Sequence, residues 1–164
     1  MNFIAIIKRV DLASFWKLTK LCLNHLLFLW PTFKATQACL KVSTQHFGRA
    51  HYQNTPANAF RHAYWNYLIA KYCTNWSQNQ ERILNWTKSV TDWHENAFKN
   101  RPLARLMDFH NNKIGRAIFL VSPDLPAEKA VLIFLEMTQN SLKISSESEI
   151  RQNISTLIHI TDYQ

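Results

Sequence analysis

Two glycines in 164 residues set the tightest limit on what this chain can fold into. An all-β domain of this length needs a turn every ten residues or so, and such turns draw heavily on Gly, Pro and Asn. Five prolines do not make up the shortfall. The stretches between the breaks are rich in Leu, Ile, Ala and long polar side chains, and the length is sufficient for one buried core. The expected fold is therefore all-α: a single-domain helical bundle of about six helices over residues 1–164, with one polar cleft.

Breakers and caps divide the bundle. Residues 3–10 and 12–29 read as helical, and Pro31 is expected to open a further element ending at Gly48. Thr55 and Pro56 form a cap followed by a first-turn proline, predicting a helix to about Tyr72. Ser77 with Gln80 reads as a capping box for a helix over about 78–98. Asn100 to Pro102 breaks that helix, and 103–120 forms the next. Pro126 opens another through about Asn140, and Ser146 with Glu149 caps a last one. Gly115 lies inside the predicted helix 103–120, where glycine costs about 1 kcal/mol relative to Ala. Its presence there points to close approach of another helix or a ligand.

Charge and cysteines narrow the function classes. Nineteen Lys and Arg against eleven Asp and Glu leave a formal charge of +8, which favours an anionic partner: a small molecule, a lipid or a membrane surface. No nucleic-acid-binding motif is present. Cys22, Cys39 and Cys73 are odd in number, widely spaced and without a CxxC pair, which argues against a disulfide framework or a thiolate zinc site. A cytoplasmic location follows. The start, "MNFIAIIKRVDLASFWKL", has its apolar run ahead of its basic residues and is a poor signal peptide. "LCLNHLLFLW" is too short to span a bilayer, which takes about 20 apolar residues. The N-terminal stretches either pack as half-buried helices or lie on a membrane surface as a peripheral attachment.

Against this greasy background three segments concentrate polar chemistry. Asn58, His62 and Asn66 fall at i, i+4, i+8, on one helical face. Arg61 and Trp65 form a neighbouring pair. "DWHENAF" sets His94 beside Glu95, pointing about 100° apart on a helix. "MDFHNNKIGR" puts Asp108, Asn111 and Asn112 on one face and extends it to Arg116, with His110 directed elsewhere. Imidazole plus carboxylate is a usual ligand set for a zinc-like divalent metal, and facing helices of bundles build such sites. The spacing matches neither HExxH nor the H…HD…D order of HD phosphohydrolases. A buried polar network that fixes helix register explains the same residues, and the sequence leaves both readings open.

Taken together, "ANAFRHAYWN", "HEN" and "MDFHNNKIGR" resemble an uncharacterised bacterial domain family marked by N-A-F-R-H-A-x-W, a later His-Glu and M-D-x-H-N-N-x-x-G-R. The surrounding "LFLWPTFKAT" and "FGRAHYQNTP" look like its Bacteroidetes branch. The resemblance covers about residues 20–120 and implies a shared site without naming its chemistry.

Two functional expectations follow. In the first, the chain is a hydrolase of an anionic phosphoester or lipid, and His62, His94 and Asp108 hold a divalent metal. Glu95 and His110 then do acid–base work, and Arg61, Asn58, Asn111, Asn112 and Arg116 bind substrate. In the second, the chain is a non-enzymatic module for a protein or membrane surface, and its polar cluster is structural.

Overall fold

The computed structural model describes residues 11–98 and 100–163. Its elements are α1 (Leu12–Asn24), α2 (Leu26–Phe47), a 3-10 turn (Ala50–Tyr52), α3 (Pro56–Cys73), α4 (Gln80–Ala97), α5 (Pro102–Val121), α6 (Ala127–Gln139), β1 (Leu142–Lys143), α7 (Glu147–Gln152) and β2 (Ile158–His159). The all-α expectation holds. The helix expected over 3–10 lies outside the described residues.

The bundle is organised around α3. Fourteen of its eighteen residues are buried, so it has no solvent face for its polar residues. Helices α2, α4, α5 and α6 and the 3-10 turn all pack on it. Small residues make this possible: Ala57, Ala59, Ala63 and Ala70 are wholly buried and let neighbouring backbones come close. The closest approach is at Gly115 of α5. A Cβ built there would lie 1.9 Å from the Ala63 carbonyl oxygen, so only glycine fits this crossing. The sequence anomaly in the helix 103–120 is thus a helix–helix contact rather than a ligand contact. Aromatic rings from α2, α3, α4, α5 and α6, among them Phe28, Phe60, Tyr67, Trp86, Phe119 and Phe134, fill the remaining core. Two threonines one turn apart on α2 receive indole N–H groups: Trp86 Nε1 donates to Thr32 Oγ1 at 2.8 Å, and Trp65 Nε1 to Thr36 Oγ1 at 2.9 Å.

Several boundaries differ from the expectation. The chain breaks at His25 (φ −140°, ψ 41°) rather than at Pro31, which is buried within α2. Pro31 sits in the second turn and removes only one helical bond, while the His25 ring stacks on Phe28, packs at a tilt against Trp86 and holds the kink in place. At α4 the cap is Asn79, whose Oδ1 accepts from Arg82 N at 2.9 Å; Ser77 Oγ instead accepts from Asn79 N. Thr55 stands at the N-cap of α3, but its hydroxyl donates to Ala50 O and secures the 3-10 turn. Gly48 ends α2 at φ 55°, as expected of a C-terminal glycine.

The C-terminal region carries a feature the sequence did not announce. β1 and β2 pair in parallel, Leu142 opposite Ile158. The Asn111 side chain acts as the next strand on the far edge of β2. Its Nδ2 donates to Ile158 O at 2.9 Å, and its Oδ1 accepts from Ile158 N at 3.1 Å. Beyond β2, Ile160 N and Thr161 N both donate to Asn54 O, which ties the terminal segment to the loop before α3. No described helix is long and apolar enough to cross a membrane.

Candidate functional site

Because α3 is buried all round, its Asn58–His62–Asn66 ladder enters the interior, and each rung must find partners there. His62 is the centre. Its Nδ1 lies 3.2 Å from Glu95 Oε1 of α4, and its Nε2 lies 3.4 Å from Asp108 Oδ1 of α5. The imidazole thus sits between two carboxylates, each within a few per cent of full burial. Asn112 braces the Glu95 side: its Nδ2 donates to Glu95 Oε1 at 3.0 Å, and its Oδ1 lies 3.3 Å from His62 Nδ1.

A second layer locks this row. Asn66 Nδ2 donates to Asn112 Oδ1 at 2.6 Å and to His62 O at 3.0 Å. Asn66 Oδ1 accepts from Thr91 Oγ1 at 3.1 Å and from Arg116 Nη1 at 2.7 Å. Every polar atom of the Asn66 side chain is used, so α3, α4 and α5 are held in one register. Thr91 escaped the sequence reading, since a lone threonine inside a helix carries no signal of its own.

The opposite end of the row is different. Asp108 Oδ1 is buried and has no hydrogen-bond partner among the described residues; Oδ2 accepts from Asn100 Nδ2 at a long 3.4 Å. Asp108 lies on the wall of a polar cavity of about 450 Å³, beside Asn58 and Arg61 of α3 and Asn100 and Arg101 before α5. The residues 52–54 and the terminal Thr161 and Asp162 complete the wall. Asn58 Oδ1 is likewise unpaired among the described residues. The cleft is therefore walled partly by loops and by the C-terminal segment, and no residue of α4 lines it. Arg61 Nη2 stands 2.8 Å from His62 Nε2, and its guanidinium lies 5.7 Å from the Tyr52 ring centre.

Electrostatics separate the two carboxylates. Burial would raise Glu95, but the His62 charge and the hydrogen bonds from His62 and Asn112 prevail and hold it down to about 2. Burial raises Asp108 above the ordinary carboxylate value, and His62 only partly offsets this. Burial opposes a charge on His62, yet Asp108 and Glu95 together lift its pKa above the usual imidazole value. Glu95 is thus a fixed anion that orients the ring through Nδ1–H. On the far side, Nε2 accepts from Arg61 when Asp108 carries the proton, or faces an ionised Asp108 when it carries the proton itself. Either group can hold a proton at this contact, an arrangement suited to acid–base chemistry.

The remaining sequence candidates lie elsewhere. His94 packs its ring on Trp65 and Phe98, and burial lowers it to about 4. His110 is turned to the C-terminal segment, 2.8 Å from Thr156 O. Asn111 clamps β2 and so holds Thr161 and Asp162 at the cavity. Arg116 is spent on Asn66. For a metal, His62, Glu95 and Asp108 offer one ligand atom each within 4.8 Å of one another. A single ion, however, takes one ring nitrogen, and Nε2 already faces the Arg61 guanidinium. Ser141, His159 and Asp162 form a further Ser–His–Asp group, with Ser141 Oγ 3.0 Å from His159 Nδ1. There Ser141 Oγ also donates to Thr138 O at 2.8 Å, a carbonyl that competes with the imidazole for the hydroxyl proton.

Fold and centre together define a small all-α domain with a buried carboxylate–imidazole–carboxylate row opening on a polar cavity. The chain belongs to the family described as a domain of unknown function (DUF6973), which it matches over residues 19–148. No curated protein and no solved structure matches it.

Proposed function

We propose that the protein is a hydrolase of an anionic ester, a phosphoester or a lipid. The observation that supports this most is Asp108 Oδ1: buried, set against His62 Nε2, unpaired among the described residues and on the cavity wall beside Arg61. A buried carboxylate oxygen without a hydrogen-bond donor is expensive to keep unless it has work to do. In this reading Asp108 takes a proton from water as the water oxygen attacks the ester, and the proton passes to His62. The bond to the leaving oxygen breaks, and that oxygen receives the proton from the same pair. Glu95 stays ionised and keeps the ring oriented. Arg61 and Arg101 hold the substrate's negative charge. A divalent ion at His62, Glu95 and Asp108 is a variant of this reading, and it requires Arg61 to move away from Nε2. The free thiols Cys22, Cys39 and Cys73 support a reducing, cytoplasmic setting.

A second reading, a non-enzymatic module whose cluster is structural, is favoured by the complete bonding of Asn66 and Asn112. Asp108→Asn separates the two. The tag-free protein and the variant are compared on phosphodiester and phospholipid panels, with bound metal and melting temperature measured in parallel. The hydrolase reading expects turnover by the wild type, a loss of about 10²-fold or more in the variant, and a nearly unchanged melting temperature. Absence of turnover across the panel, with the variant destabilised by about 1–3 kcal/mol, would establish the structural reading.

A further inference from the structure

Helix α1 and the first half of α2 leave many large apolar side chains exposed. α1 has no buried residue. Of the chain's large apolar side chains, eight between positions 12 and 33 are exposed. Along α1, Leu12, Trp16 and Leu23 recur at i, i+4 and i+11; along α2, Leu26, Trp30 and Phe33 recur at i, i+4 and i+7. Each set therefore keeps to one side of its helix. Single exposed hydrophobics need no explanation, but a run of this density marks an interaction surface.

Charge indicates what meets it. Between Asp11 and Glu81 the sequence holds no acidic residue, and α1 with the first half of α2 carries Lys17, Lys20 and Lys34. On these two helices each exposed tryptophan is followed four residues later by an exposed lysine, Trp16 by Lys20 and Trp30 by Lys34. Lys34 Nζ lies 5.1 Å from the centre of the Trp30 ring, so its stem runs along the aromatic face and its charge stands at the rim. Trp and Leu on one side with Lys beside them is the composition of a helix that lies in a lipid interface. A second copy of the chain is a poor occupant, because an isologous contact would bring together two copies of α1 and α2, helices that carry lysines and no acidic residue.

We propose that α1 and the first half of α2 dock the protein onto an anionic membrane surface. Trp16 and Trp30 enter the headgroup boundary, and Lys20 and Lys34 meet lipid phosphates. This stands independently of the hydrolase reading, since it uses no residue of the cavity.

The test is co-sedimentation of the full chain with vesicles of phosphatidylcholine alone and with added phosphatidylglycerol, at low and high salt. Binding is expected only with the anionic vesicles, weakening as salt rises. Brominated acyl chains should quench tryptophan fluorescence. Trp16→Ala with Trp30→Ala, and separately Lys20→Glu with Lys34→Glu, should each reduce binding about tenfold or more while leaving the melting temperature unchanged. Binding unchanged in both double variants would overturn the proposal, as would no binding by the wild type. If vesicles bind only a chain lacking residues 1–10, the occupant is that segment. If the wild type forms a dimer in sedimentation equilibrium that Trp30→Ala abolishes, without vesicle binding, the occupant is a second copy. Either result would replace the membrane.

Discussion

The crossing of α3, α4 and α5 and the outer pair α1–α2 break the same rule in opposite directions. The crossing buries a histidine, two carboxylates and a set of amides that would ordinarily face water. The outer pair exposes leucines and tryptophans that would ordinarily be buried. In the crossing nearly every polar atom is matched, so burial is sustained by hydrogen bonds, and the mismatch narrows to Asp108 Oδ1 and Asn58 Oδ1 at the cavity. In the outer pair nothing described covers the apolar atoms, so among the described residues their stabilising potential is unused. Departures of this kind carry more functional information than the well-packed aromatic core between them.

The comparison predicts a steep gradient of mutational sensitivity. The largest effect belongs to Gly115→Ala. Its Cβ would meet backbone of α3, which has no rotamer to yield, so the helices must separate. We expect a loss of about 3 kcal/mol or more, read from the urea midpoint. A variant of wild-type stability would show that the crossing is looser than the geometry says.

Next comes Asn112→Ala. It removes a donor to Glu95 and the acceptor of Asn66 Nδ2, and the expected loss is about 3 kcal/mol. The variant should also allow the Glu95 carboxyl to titrate nearer the ordinary range, measurable by carboxyl-carbon NMR.

A pH series sharpens the same contrast. His94 has a folded pKa of about 4 against 6.5 when unfolded, so protons bind the unfolded chain more readily. Its contribution to stability is full above about pH 6.5 and is lost as pH falls to about 4. Glu95, held to about 2 against 4.5, adds a further loss between those values. His62, raised when folded, contributes fully below pH 6.5 and loses that contribution as pH rises through its folded value. His94 and Glu95 therefore lower stability on the acid side, and His62 lowers it on the alkaline side. His94→Phe should flatten the decline between pH 6.5 and 4 by about 2 kcal/mol in urea titrations, allowing for the ring's partial exposure. An unaltered slope would assign the acid sensitivity elsewhere.

The smallest effect is expected on the outer pair. Trp30→Ala should change the urea midpoint by less than about 0.5 kcal/mol, because the ring is 56% exposed. A larger loss would mean that the outer face is packed in solution, and the contrast between the regions would fail.

Much of this was legible in the residues. Helix α3 was readable from Thr55, Pro56 and the four-residue ladder, because caps and periodicity act within a turn or two of chain. Gly115 announced a close approach, since a glycine there weakens its own helix. Its partner, Ala63, is 52 positions away and carries no mark. The three polar segments were visible as a set. Which of the adjacent His94 and Glu95 turns inward was not visible, because the rotation of α4 is set by aromatic packing of Trp65 and Phe98 against the ring.

The sequence by itself determined a helical domain, its family membership and the short list from which a site could be drawn. Tertiary structure alone decided that Pro31 stays inside α2, that Asn111 serves as a strand edge for β2, and that His110 bonds to Thr156 O. It alone set His62 between Glu95 and Asp108. The physical reason is range. Propensity and periodicity act over one or two turns, whereas His62 meets Asn112 across 50 positions and Asn111 meets Ile158 across 47. Contacts of that span exist only once the helices have packed.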